Sequence, residues 1–593
     1  MSRFALTTVG IAVLAAALHC GTINNELTFD DHWAIERNPN TARPADLAAH
    51  FTSGFWGPGY LKRDAAWRPL TTLTLAWNRA AGGLDPAGYH AVNLLLHALA
   101  AALVALLGRA LGLRDEAALA AGALFAVHPV HVDAIAPGVG RADLLMAVLA
   151  LAAGLAWERR RPGVAAGALA LALLAKEMAA GAAAALAWRA VTRPDRGGRW
   201  RWALPLAVAA AWLAARYAVL GALGGAHPGP LENPVAHAGL AARLWTAGHC
   251  YALALAKFVA PVTLLADYSY AAVEPATGPT AVAIAGWALL ATTIAAMVLA
   301  ARRRPELSAM LAWWLAPYAI VSHLGPTLPM WFAERVLYLP SAGLCLAVGW
   351  AVGRAAGARQ AVARAAGAAV AVAIAAFSVR SAVRVGDWRD DVTLHAKTVE
   401  DAPRNVKALA NAARDAASRG DAGAALALVR RALAVRDDVA LPHLAAASVY
   451  AQLGDAERAA AHLDRALSMP HDLATAAETR CAVLARFRPD VAVPACEAAT
   501  RAPFAGPDAW MFLAIAYDRT GDPARAEAAF AMALDRAGAP SVTLAYNYGI
   551  FLLRRGRPAD AVAPLARAAA LAPDRPEIAR ALADARAAAA ARR

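Results

Sequence analysis

Apolar stretches rich in Ala, Leu and Val recur near 4–22, 90–108, 116–131, 142–157, 202–222, 280–301, 307–325, 337–354 and 361–380, with polar or Arg-rich joints between them. A helix needs about 20 apolar residues to cross a bilayer, and fewer inside a bundle core. Each stretch therefore predicts a membrane-spanning helix. The run 163–190 is interrupted by Lys176-Glu177 and bounded by Arg161, Arg189 and Arg193, so it predicts two short helices meeting at that charged pair. The count comes to about eleven spans. Residues 241–262 predict a further, half-buried interfacial helix. The first stretch carries no A-x-A cleavage signal, and Cys20 lacks lipobox flanks, so 4–22 reads as an uncleaved first span.

Past residue 388 the hydropathy drops and a period replaces the apolar runs. Gly420 in "RGDAGAAL" and Gly454 in "LGDAERAA" lie 34 residues apart, and Gly521 in "TGDPARAE" precedes Gly556 in "RGRPADAV" by 35. One unit reads Trp510, Leu513, Ala514, Tyr517, Gly521, Ala526, Phe530 and Ala533, with small residues where paired helices must approach and large ones filling the gaps. The next places Gly549, Leu552, Ala561, Leu565, Ala568 and Pro573 at matching offsets. The pattern resembles tetratricopeptide repeats, and about five fit between 405 and 590, with 473–506 degenerate. Such arrays stack helix pairs into a solenoid with a concave groove suited to an extended polypeptide. Their other use is as a passive cap or oligomerisation surface. The fold class is therefore all-α: a polytopic bundle over 1–387, then an α-solenoid over 388–593. Cys481 and Cys496 form either a disulfide, if this part is extracytoplasmic, or two buried thiols.

Charge orients the bundle. Of 593 residues, 59% are hydrophobic and 17% charged, yet the net charge is +14. The cations do not form the basic face of a nucleic-acid binder. They sit in "GRALGLRDE", "WERRRPG", "WRAVTRPDRGGRWRW", "ARRRPE" and "GRAAGARQAVARAA", which fall on one side when the spans alternate. That side is cytoplasmic by the positive-inside rule. The opposite side receives 23–89, 128–141, 176–177, 223–279, 326–336 and the chain beyond about 381.

The polar oddities of the chain all lie on this outer side. They include Asp30 and Asp31 in "FDDHWAIERNP", Arg68 in "AWRPL", and His90, Asn93 and His97 along one helix face. They continue with His128, His131, Asp133 and Arg141 in "VHPVHVDAIAPGVGR", Lys176 and Glu177 in "AKEM", Asp267 in "ADYSY", and Glu334, Arg335, Tyr338 and Ser341 in "ERVLYLPS". Ionisable groups at membrane depth are costly and usually face a cavity, so their convergence predicts a polar pocket. His128-x-x-His131 with Asp133 also has the residue types of a metal cluster, set against the alternative of hydrogen bonding between helix ends. Trp33, Trp56 and Trp67 are candidates for interfacial anchors or sugar-stacking faces.

These motifs, with "WRPLTTLTLAWNRAAGGLDPAGYHAVNLLLHAL", "LENPVAHAG" and the terminal repeats, resemble the transmembrane and tetratricopeptide-repeat O-mannosyltransferases, a family of GT-C-class polytopic glycosyltransferases. The resemblance covers nearly the whole chain, and the Ala- and Arg-rich composition points to a bacterial member. It implies transfer of a sugar, mannose first, from a polyprenyl-phosphate carrier to Ser or Thr hydroxyls on the extracytoplasmic face of the cytoplasmic membrane, with the repeats recruiting the polypeptide. The alternatives are a same-scaffold transferase acting on an envelope glycan or lipid, and a non-catalytic scaffold. A hydroxyl nucleophile needs a carboxylate to take its proton. The departing phosphate needs cations, for which the planar fork of Arg is suited. The resemblance places the base at Asp30 or Asp31, with Asp31 favoured and Asp30 orienting sugar or acceptor. It places Arg335 on the phosphate, supported by Arg141 and Lys176, with Arg68, His90, His128, His131, Asp133, Glu177 and Tyr338 binding or orienting substrate. No cofactor is obligatory on this reading, and a divalent cation is left open.

Overall fold

The computed structural model describes residues 2–57, 66–193, 199–222, 228–325, 328–357, 359–470, 473–502, 505–537, 541–573 and 575–591. Parts of the expected outer segments, 58–65, 223–227 and 326–327, lie outside the described residues. Among the described residues every regular element is a helix. The chain divides into two compact units, Met1–Ala408 and Leu409–Arg593.

The first unit is the apolar bundle. Its α-helices are α1 (Arg3–His19), α2 (Leu47–Thr52), α3 (Pro69–Gly82), α4 (Pro86–Ala110), α5 (Asp115–Val127), α6 (Val132–Ile135), α7 (Arg141–Glu158), α8 (Pro162–Ala175) and α9 (Ala179–Thr192). They continue with α10 (Ala203–Leu220), α11 (Leu240–Val259), α12 (Ala281–Arg303), α13 (Pro305–Ile320), α14 (Tyr338–Ala355), α15 (Gln360–Asp387) and α16 (Asp391–Asp401). Among the described residues, seven helical segments are long and apolar enough to cross a membrane: Arg3–Asn24, Pro86–Ala110, Gly138–Glu158, Ala203–Leu220, Ala281–Arg303, Glu334–Ala355 and Gln360–Asp387. An eighth is Asp115–Val127 with Pro129–Ile135, bent by 51° where Pro129 breaks the ladder. The stretch expected at 307–325 forms α13, 16 residues long. The run 163–190 splits into α8 and α9 at Lys176-Glu177.

Small residues let these helices close. A Cβ on Gly286 of α12 would run into the Gly248 carbonyl of α11, and one on Gly181 of α9 would run into Pro317 of α13. Other faces stay open. Leu299 on α12 is 74% exposed, and Val372 and Val379 on α15 are each 68% exposed. Contiguous exposed aliphatic faces of this kind suit lipid rather than water, and the protein is a multi-pass membrane protein. The helix Asp391–Asp401 lies in the first unit, so the hydropathy drop at 388 is not the edge of that unit.

The second unit is a helical-repeat array. It follows α17 (Val406–Ser418) with α18 (Ala422–Val435), α19 (Ala440–Gln452), α20 (Ala456–Leu467), α21 (Leu473–Phe487), α22 (Pro489–Arg501), α23 (Pro507–Arg519), α24 (Pro523–Arg536), α25 (Val542–Arg554), α26 (Pro558–Leu571) and α27 (Pro576–Ala590). The periodic glycines explain themselves. Gly420, Gly454, Gly521 and Gly556 have φ of 84°, 84°, 85° and 68°, the left-handed turn that ends the first helix of each pair. The aspartate that follows three of them caps the second helix: Asp421, Asp455 and Asp522 accept from the amides of Ala424, Arg458 and Arg525. Gly549 admits Leu565, whose Cγ would lie 2.5 Å from an added Cβ. In the degenerate unit, Cys481 of α21 and Cys496 of α22 are joined as a disulfide.

Candidate active site

Asp30 and Asp31 are adjacent, and the fold sends them to different partners. Asp31 is fully buried. Its Oδ2 accepts from the amides of Thr28 (3.2 Å) and Gly138 (2.8 Å), and its Oδ1 accepts from the amide of Val139 (2.6 Å). The tight turn Gly138–Gly140 aims those amides. A Cβ on Gly138 would sit 2.7 Å from Ile35 Cδ1, and one on Gly140 would run into the Ala134 carbonyl. Burial pushes the Asp31 carboxyl up to about 7, against the downward pull of the three amide donors. That value suits a base, but both oxygens are engaged and no part of the side chain is open to an acceptor.

Asp30 points the other way. Its side chain is 27% exposed, and Arg335 Nη2 donates to its Oδ2 at 3.2 Å. The residue before it, Phe29, has φ of 55°, a left-handed conformation rare for a bulky side chain. Strain of this kind persists only where the surroundings over-determine it. Here the surroundings are several long-range anchors. The amide of Glu26 donates to the carbonyl of Arg389, and the amide of Phe29 donates to Asp391 Oδ1 at 2.9 Å. His32 sits between two carboxylates, 2.8 Å from Glu36 Oε2 and 2.8 Å from Asp391 Oδ2. Carboxylates accept, so both ring nitrogens donate, and the two acids lift His32 to about 10 although burial opposes them. The imidazolium in turn helps hold Asp391 below its ordinary range. His32–Glu36 forms one π-turn, a rare element frequent at functional sites.

Arg335 lies in the turn Glu334–Leu337 ahead of α14. Its amide donates to Asp133 Oδ2 at 2.8 Å, and its Nη1 lies 3.5 Å from Asp133 Oδ1. Asp133 belongs to the short helix α6, just past the break at Pro129. Three segments far apart in sequence thus meet as Asp30–Arg335–Asp133. Two further ion pairs stand beside them. Lys176 Nζ donates to both oxygens of Asp143 at 2.7 Å, and Arg68 forms a two-pronged pair with Glu177 at 2.9 and 2.5 Å. Asp143 and Arg68 lie within electrostatic reach of Arg335.

Other expected site residues are placed elsewhere. Arg141 is almost fully buried, with Nε donating to Asn93 and Nη2 to Asn78 and the carbonyl of Tyr89. It ties α3, α4 and α7 together rather than reaching the Arg335 cluster. His128 lies 2.9 Å from the carbonyl of Phe258, and His131 bridges the carbonyl of Phe125 and the hydroxyl of Ser341. His97 pairs with the hydroxyl of Tyr338 at 2.8 Å, and His90 with the carbonyl of Asn25 at 3.2 Å. His128 and His131 make their hydrogen bonds at the break between α5 and α6, while His90 and His97 bond from within α4. Among the described residues no group of three His, Cys, Asp or Glu side chains gathers as a metal site. Trp67 is 4% exposed, with its indole N–H on the carbonyl of Phe51, so it is a packing residue rather than an anchor or a stacking face.

Sequence reasoning assigned no role to Lys407. It lies in the first unit, with Nζ 3.9 Å from Asp267 Oδ2 and 4.6 Å from the centre of the Phe29 ring.

Fold and site together define a class: a multi-pass helical membrane protein with a gathered set of acids and cations, continued by a tetratricopeptide-repeat array. A family model described as "Tetratricopeptide repeat" matches residues 482–542 and 513–576. The chain is similar to curated proteins named protein O-mannosyl-transferases. Against Tmtc1 of Drosophila melanogaster it is 42% identical over 152 residues, 25% of this chain and 18% of that protein. Against TMTC4 of Homo sapiens it is 25% identical over 489 residues, 70% of this chain and 64% of that protein. The chain thus spans less than a fifth of the first of these relatives and under two thirds of the second. The solved structure of YrrB, titled a TPR protein with an unusual peptide-binding site, matches at 20% identity and a TM-score of 0.21, covering 32% of this chain and 96% of that one.

Proposed function

We propose that this protein is an inverting GT-C-type glycosyltransferase that moves mannose from a polyprenyl-phosphate carrier to Ser or Thr hydroxyls of polypeptides. The observation that carries the reading is the Asp30–Arg335–Asp133 cluster, where a part-exposed carboxylate lies against a guanidinium. The relatives named protein O-mannosyl-transferases supply the reaction class.

Asp30, rather than Asp31, is the base, because it alone of the pair has an open face. The acceptor O–H loses its proton to Asp30 as the oxygen attacks the anomeric carbon. The bond from that carbon to the phosphate oxygen breaks, and its electron pair stays on the phosphate. The transition state has oxocarbenium character. Arg335 turns its fork to the departing phosphate, while Asp133 holds the arginine backbone in place. Lys176–Asp143 and Arg68–Glu177 line the same region and orient the sugar. Asp31 positions the loop that carries Asp30. The reaction runs on the extracytoplasmic face of a bacterial cytoplasmic membrane. Positive-inside counting supports that side, as does a disulfide in the repeats, since such bonds persist in oxidising compartments. The repeats recruit the polypeptide acceptor. No metal is required, because side-chain cations neutralise a monophosphate.

The test is mannose transfer in membranes from polyprenyl-phosphate mannose to native extracytoplasmic proteins. The expected result is transfer by wild type and none by Asp30→Asn. Equal transfer by both would remove Asp30 as base, and absence of transfer by both would overturn the donor or the acceptor assignment.

A further inference from the structure

The positive charge around Asp30 is already engaged by carboxylates. Arg335 is engaged by Asp30 at 3.2 Å and Asp133 at 3.5 Å, and Lys176 and Arg68 are each closed on a carboxylate. A phosphate gains negative charge as it leaves, so one engaged guanidinium is a poor sink for it. Lys407 is placed differently. Its side chain is 30% exposed, and its ion pair with Asp267 is long, at 3.9 Å. The Asp267 carboxylate also accepts from the amide and the hydroxyl of Ser269, both at 2.9 Å. Asn405 braces the site by donating to the Asp267 carbonyl at 3.0 Å. The ammonium rests over the ring of Phe29, the strained residue that precedes Asp30. From there it is in electrostatic reach of Asp30 and Arg335.

We propose that Lys407 is the second phosphate-binding cation of this site, resting on Asp267 and Phe29 when empty and moving onto a phosphate oxygen of the lipid-linked donor. The inference rests on the transferase reading and adds a residue to it. Arg335 and Lys407 then hold two oxygens of the same phosphate. When the bond to the sugar breaks, the electron pair stays on the phosphate and the ammonium offsets the new charge. The acceptor proton goes to Asp30 and not to Lys407, which is already protonated.

The test uses the full chain with Lys407→Met, which keeps the apolar stem over Phe29, and Lys407→Arg, which keeps the charge. Binding of polyprenyl phosphate alone is measured first, by thermal stabilisation of the solubilised protein, and donor and acceptor KM afterwards. The Met variant is expected to bind polyprenyl phosphate about tenfold more weakly, the size of one charge-assisted hydrogen bond. Its donor KM rises in step, its acceptor KM stays unchanged, and Lys407→Arg recovers most of the loss. If Met and wild type bind polyprenyl phosphate equally, the proposal is overturned while the transferase reading stands. If wild type binds the lipid phosphate through Lys407 but transfers no mannose, the reaction is wrong and the cation site stands. If wild type does not bind the lipid phosphate, both fail.

Discussion

Replacing Asp31 by Ala removes a buried acceptor from three backbone donors at once. The amides of Thr28, Gly138 and Val139 lie 2.6–3.2 Å from its oxygens, and the side chain has no solvent exposure. Each buried donor left unpaired costs about 1–3 kcal/mol. Water entering the space that the carboxyl vacates recovers part of this, so the net loss is about 3–6 kcal/mol. The carboxyl accepts from these amides whether or not it is ionised, so the sign does not depend on its titration. Asp30→Ala loses one part-exposed ion pair at 3.2 Å, worth about 0–1 kcal/mol. The two neighbours should therefore separate cleanly. Asp31→Ala unfolds first in a melt of the solubilised full chain, and its 26–36 loop becomes open to protease. Asp30→Ala melts with wild type yet transfers no sugar. Refutation is equally direct: if Asp31→Ala melts with wild type, or Asp30→Ala is the less stable of the two, the division of roles between these acids is wrong.

Other outcomes follow from the same geometry. Lys176→Met alone strands the buried Asp143 and should cost about 3–5 kcal/mol, whereas Lys176→Met with Asp143→Leu should recover much of it; equal melting of the single and double variants counts against the pair. Gly140→Ala pushes a Cβ into the Ala134 carbonyl and should destabilise the turn that feeds Asp31, read as lowered melting and reduced transfer together. The His32–Asp391 clamp should respond to pH in a set direction. His32 is raised from 6.5 to about 10, so its contribution is complete below 6.5 and is lost as pH rises through about 10. Asp391 is lowered from 3.8, so its contribution is present above 3.8 and is lost as pH falls below that. Asp31, raised from 3.8 to about 7, adds a contribution that is complete below 3.8 and lost as pH rises through about 7, so hydrogen exchange in residues 26–36 should be slowest near pH 4 after correction for intrinsic rates, and His32→Gln should abolish the limb near pH 10. Cys481→Ser opens a loop of 15 residues and should cost the repeat unit about 3 kcal/mol, seen as earlier melting that reductant no longer shifts.

Much of the architecture was legible in the sequence because it depends on local pattern. Apolar runs set the bundle helices, since a chain in lipid must satisfy its backbone within each helix. The break at Lys176-Glu177 was visible as charge inside an apolar run. The repeats were legible in their glycines, because only a left-handed turn lets one helix of a pair double back on the next. Charge counting placed the polar segments on one side of the bundle without saying which of them meet. Which atoms meet did not follow. The sequence reading favoured Asp31 over Asp30 as base, and what separates the two in the fold is a strained Phe29 and a glycine turn 107 residues away from Asp31. The sequence put Arg335 first on the phosphate with Arg141 in support, yet Arg141 is held by Asn93 and Asn78 while Arg335 reaches Asp30. Lys407 lay beyond the hydropathy drop and carried no motif. The sequence by itself determined which segments are helices and how they repeat, because those depend on neighbours within a few turns. Only the tertiary structure decided which acid is locked and which cation is loosely held. That choice is made by packing between segments far apart in the chain, which closes Lys176 on Asp143 at 2.7 Å and leaves Lys407 at 3.9 Å from Asp267.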